Sequence, residues 1–94
     1  MTAHHLAYLR ACHGRSAQLG AGLRDLQEPI ARLPGCLAFS IEQQADTRWQ
    51  LRGSWVSAEA RQAFFATPLL QERLSALLRD GVLASLECQE LRDG

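Results

Sequence analysis

The segment Cys36-Leu37-Ala38-Phe39-Ser40-Ile41-Glu42-Gln43 alternates apolar with small or polar residues, and Arg48-Trp49-Gln50-Leu51-Arg52-Gly53-Ser54-Trp55-Val56 does the same after the short polar link Gln44 to Thr47. A period of two sends successive side chains to opposite faces of a strand, so the pair reads as a hairpin with one apolar face. Leu37, Phe39, Ile41, Trp49, Leu51 and Trp55 take that face, and Ala38, Ser40, Gln50, Arg52 and Ser54 take the other. The rest of the chain must cover the apolar side.

Upstream, Leu33-Pro34-Gly35-Cys36 has Pro and Gly at the central positions of a type II turn, where Pro presets φ and Gly accepts a positive one. Before it, Leu19, Leu23, Leu26, Ile30 and Leu33 recur at helical spacing, predicting an amphipathic helix from near Ser16. Pro29 deprives Asp25 of its backbone partner, so a kink or break is expected late in that helix. His4 to Cys12 alternates loosely and ends near Gly14; it reads as a strand whose buried face is ambiguous.

Downstream, Ser57 offers an N-cap oxygen with Glu59 in the first turn, and Ala60, Phe64 and Phe65 give a short helix its apolar side. Thr67-Pro68 ends it, and Pro68 opens another helix that turns Leu70, Leu74 and Leu77 inward and stops at Asp80-Gly81. Val82 to Leu91 is the last strand. The order is that of an α+β, ferredoxin-like split βαβ domain: a four-stranded antiparallel sheet in spatial order four, one, three, two, with the helices on one face.

At 94 residues the chain is expected to form one domain over residues 1–94. The apolar fraction of 47% and charged fraction of 21% exclude disorder. A chain this small buries only about 60–70% of the surface it exposes when unfolded, so the bare sheet face, with Ser40, Arg52 and Ser54, is expected to meet a second copy in a homodimer.

Ten Arg balance ten acidic residues without clustering, and there is no Lys or Asn, so no stripe tracks a phosphate backbone and nucleic acid is not expected as a partner. Arg52 to Val56 faintly matches the third strand of RNA-recognition domains, but its one aromatic lies on the helix side. No apolar run approaches a membrane span, and the start lacks a secretion signal, which points to the cytoplasm. Cys12, Cys36 and Cys88 are expected to be free thiols acting as small buried apolar groups. His4, His5, Cys12 and His13 do not make a metal site, since consecutive strand residues point to opposite faces.

Leu33-Pro34-Gly35-Cys36-Leu37-Ala38-Phe39-Ser40, then Trp49 with Gly53-Ser54-Trp55-Val56-Ser57-Ala58-Glu59-Ala60, then Phe64-Phe65-Ala66-Thr67-Pro68, resembles the antibiotic biosynthesis monooxygenase (ABM) family across nearly the whole chain. The resemblance implies a homodimer whose sheets pack into an α+β barrel, with a pocket in each subunit between sheet and helices. It also implies oxidation of polycyclic phenols to quinones by molecular oxygen without a cofactor, or haem binding and degradation, or neither. Quinone-forming and haem-degrading members commonly have an Asn beside the strand-three Trp, where this chain has Leu51. Many have a His near the end of the short helix, where this chain has Phe64-Phe65.

Trp55, Trp49, Phe39, Phe64 and Phe65 are the expected aromatic wall of a substrate pocket. Oxygenation without a cofactor needs a base to make an electron-rich anion, and the candidates are His5, Tyr8 and His13; Glu42 lies on the wrong sheet face. The expected function is cofactor-independent oxidation of a hydrophobic, polyketide- or quinol-like aromatic. A non-catalytic dimeric binding module is the alternative, and a haem-binding or haem-degrading relative the third.

Overall fold

Three antiparallel pairings build the sheet. In the computed structural model, which describes residues 2–92, β1 (Ala3–Ala11) lies between β3 (Arg48–Trp55) and β4 (Leu83–Arg92), and β2 (Cys36–Gln43) flanks β3, giving the order β2-β3-β1-β4. This is the expected order. Met1, Asp93 and Gly94, the ends of the expected domain, lie outside the described residues.

The register decides which β1 face is buried. Leu9 pairs with Trp49, Ala7 with Leu51 and His5 with Gly53, so the odd-numbered residues of β1 join the apolar face of β3. Ala3, His5, Ala7, Leu9 and Ala11 are all buried, whereas His4, Leu6 and Tyr8 are half-buried on the other side.

The helical stripe forms as expected and breaks as expected. Proline's ring excludes the carbonyl four residues earlier, and the chain divides into α1 (Ser16–Arg24) and α2 (Gln27–Ala31) around Asp25 and Leu26. Leu19, Leu23, Leu26 and Ile30 are fully buried across the break. Gly35 takes φ +83° in the turn into β2. Ser57 caps α3 (Ala58–Phe65) by accepting from the Ala60 amide at 3.1 Å, and α4 (Pro68–Arg79) ends at Gly81 with φ +72°.

Two expectations need correcting. Leu37 does not join the buried face: a bulge between Cys36 and Ala38 sets Cys36 opposite Trp55 and leaves Leu37 55% exposed. The extra residue shifts the alternation by one at the strand's start. Nor are the cysteines buried; Cys12 and Cys36 are half-buried and Cys88 is exposed, all as free thiols.

Trp49 is locked under α1, where its indole N–H donates to Ser16 Oγ at 3.0 Å and its ring fills the space left by Gly20. A helical Gly→Ala change ordinarily stabilises by about 1 kcal/mol. Here the added methyl would overlap the Trp49 ring, and overpacking a core costs about 1–3 kcal/mol. Gly20→Ala is therefore expected to lower the urea midpoint, and a rise would show that the ring moves freely.

Candidate functional site

The helix-facing side of the sheet can be followed in rows. Phe39, Gly53, His5 and Glu90 are in register across all four strands, as are Ile41, Leu51, Ala7 and Cys88 in the next row. Glycine, alanine and cysteine are too small to fill the space below α3 and α4. A cavity of about 150 Å³ results, lined by His5, Ala7, Leu9, Leu51, Phe64, Phe65, Leu70, Gln71, Leu74, Leu86 and Cys88.

His5 is 1% exposed. Its ring stacks on Phe64 with centroids 4.9 Å apart and meets Phe65 edge-on at 5.4 Å. Behind it, Trp55 Nε1–H donates to His5 Nδ1 at 3.1 Å. The two strands bring these residues together diagonally because Gly53, the register partner of His5, has no side chain. A Cβ at Gly53 would stand 2.7 Å from His5 Nδ1 and 2.9 Å from Trp55 Nε1.

That hydrogen bond fixes the imidazole's chemistry. An indole N–H can only donate, so Nδ1 must be the bare, accepting nitrogen, and the proton of the neutral ring sits on Nε2. Nε2 is buried and has no hydrogen-bond partner among the described residues. Leaving a buried donor unmatched costs about 1–3 kcal/mol.

Burial, and secondly the charge of Arg61, lower the His5 pKa to about 4. Arg61 is itself 3% exposed: it donates to the His4 carbonyl at 3.0 Å and pairs with Glu90 at 3.3 Å, tying α3 to β1 and β4. The Cys88 thiol is pushed up, first by its partial desolvation and then by Glu90, so it presents a neutral group to the cavity. Gln71 donates to the Phe65 carbonyl at 2.6 Å.

Of the residues singled out in the sequence, His5, Phe64 and Phe65 line this cavity. Trp55 stands behind His5 and stacks on Phe64 at 4.9 Å, and Phe39 touches Phe64 at 5.9 Å. Trp49 lies away from it, under α1. Tyr8 is on the bare face beneath the Arg48 guanidinium, 4.4 Å from the ring centre, and His13 is exposed in the turn after β1. Ser40, Arg52 and Ser54 share the bare face, where Ser54 Oγ meets His4 Nδ1 at 2.8 Å. Arg61 was missed, although its spacing from Phe64 and Phe65 puts it on their stripe of α3.

The same architecture occurs in solved structures. A candidate antibiotic biosynthesis monooxygenase from Deinococcus radiodurans superposes with a TM-score of 0.87 at 20% identity, covering 100% of this chain and 93% of that one. This chain has the ABM fold. An Asn-to-Ala mutant of SnoaB, a cofactor-independent oxygenase from Streptomyces nogalater, gives 0.79 at 18% identity over 98% and 92% of the two chains. A candidate antibiotic biosynthesis monooxygenase from Nitrosomonas europaea gives 0.83 at 18% over 96% and 88%. No protein-family model matches the sequence, and no curated protein matches it. Among the described residues of this ABM fold, no cluster of three or more His, Cys, Asp or Glu able to hold a metal occurs, and none of their helices is long and apolar enough to cross a membrane.

The buried imidazole makes stability depend on pH. The unfolded chain binds a proton at His5 near the ordinary value of 6.5, the folded chain only near 4, so acid favours unfolding between those values. Stability present above the unfolded value is lost as pH falls, by about 2 kcal/mol from about pH 7 to about pH 5. Urea titrations of the wild type and His5→Gln should show this loss in the first and a smaller one in the second. Equal losses would place the acid sensitivity elsewhere.

Proposed function

We propose that this chain is an ABM-fold homodimer of the cytoplasm that binds a hydrophobic aromatic molecule in the His5 cavity and oxidises it with molecular oxygen, without a bound cofactor. The observation carrying this reading is an apolar cavity, walled by Phe64, Phe65, Leu51, Leu70 and Leu74, with a buried imidazole on its wall. Such a cavity selects a flat apolar ring, and one polar group orients it. The bare sheet face, with Ser40, Arg52 and Ser54, is the surface through which two copies would pack.

The chemistry this supports is simple to balance. A phenol that has released its hydroxyl proton to solvent before it binds passes one electron to oxygen, giving a phenoxyl radical and superoxide. Their recombination at a ring carbon, with return of the proton, forms a hydroperoxide, and loss of water leaves a quinone. One phenol and one oxygen molecule become one quinone and one water. Excluding water protects the intermediates, and the apolar walls serve that end.

A second reading, a binding module without turnover, is favoured by two features. Leu51 occupies the cavity wall where the family resemblance leads one to look for an amide, and the accepting nitrogen of His5 is already taken by Trp55. Oxygen uptake with bound ligand distinguishes the readings.

Hydroxylated aromatics should raise the melting temperature of the wild type by mass action. Leu74→Trp, which fills the cavity from α4, should abolish that rise while keeping the far-ultraviolet circular dichroism spectrum. An equal rise in both proteins would place the ligand elsewhere.

A further inference from the structure

The size of the cavity and the unmatched donor of His5 define the ligand more closely; this inference rests on the binding reading above. An apolar cavity of about 150 Å³ holds one benzene ring, and this cavity is about 150 Å³. A system of three fused rings would have to extend out of it. Its walls are carbon except at His5, Gln71 and Cys88; one Gln71 N–H is committed to the Phe65 carbonyl, and the Cys88 thiol is a weak donor.

We propose that the ligand is a single-ring phenol, held as its phenolate by a hydrogen bond from His5 Nε2–H. The bond from Trp55 keeps the proton on Nε2, and Gly53 leaves the room that bond requires. His5 is thus a donor to the substrate oxygen and not the base that deprotonates it. Nε2 is covered in this structure, so a ligand bonded to it has to displace a neighbouring side chain.

The surrounding charges suit an anion. Arg61 on α3 and Glu90 and Cys88 on β4 are ionisable groups near His5 among the described residues, and the α4 residues lining the cavity, Leu70, Gln71 and Leu74, are not ionisable. Arg61 is buried, and the Glu90 carboxylate paired with it is 53% exposed. The Arg61 charge that disfavours an imidazolium favours an anion beside it, while burial disfavours both charged forms.

4-Nitrophenol tests this directly, because its phenolate is yellow and its phenol is not. Buffered just below the pKa of the free probe, adding wild-type protein should deepen the yellow band to saturation at one probe per chain. Nitrobenzene, of similar size without the hydroxyl, should bind about tenfold more weakly or worse, as expected for loss of a hydrogen bond to a charged group. Dihydroxyanthracene should not bind. In His5→Phe the bound probe should lose colour, since an apolar cavity prefers the neutral form; the nitrobenzene comparison needs no variant and holds if that one fails to fold. Equal binding of nitrophenol and nitrobenzene, with no deepening of colour, would overturn the donor role and leave the aromatic cavity standing. Binding of dihydroxyanthracene as tight as that of nitrophenol would overturn the single-ring limit. Binding of no probe would overturn both this inference and the function it rests on.

Discussion

The hydrogen bond from the Trp55 indole to His5 Nδ1 organises the helix-facing side of this sheet. It joins β3 to β1 diagonally and is possible only because position 53 is glycine. It sets the tautomer of the one imidazole on the cavity wall, and with it the choice between donating and accepting a proton. The aromatic cluster around it, with Phe64 stacked on both rings, comes from α3, and α3 is fastened by Arg61 to β1 and β4.

The fold's economy and its cavity have the same origin. Ala7 and Cys88 are small, and they lie side by side in the row beyond His5. Larger residues there would close the core in a chain with little stability to spare, yet the sequence leaves the space open and rims it with Leu and Phe. A void in an apolar core forfeits dispersion contacts, so its retention fits a molecule that restores them.

Much of the architecture could be read from the sequence. The stripe from Leu19 to Leu33, the Pro34-Gly35 turn, the Ser57 cap and the alternation in β2 and β3 are local signals whose physics needs no partner strand. The buried face of β1 could not be read, because Leu6 and Tyr8 alternate with Ala7, Leu9 and Ala11 almost evenly in hydropathy, and pairing with β3 decides between them. Leu37 misled because a bulge is invisible to a period of two. The site was half legible: Phe64, Phe65 and His5 were singled out, but an arginine on a short helix reads as solvent-facing, and Leu70 and Leu74 read as core. His5 was considered as a base because its spacing carries no information about which nitrogen is occupied. That information lies in a contact fifty residues distant in sequence.

Nitrogen-15 chemical shifts of the His5 imidazole at neutral pH would test the central claim most directly. The account predicts a neutral ring with a protonated Nε2 and a bare, hydrogen-bonded Nδ1, both lost as a pair when Trp55 is replaced by Phe. A proton on Nδ1, or a charged ring at neutral pH, would contradict it.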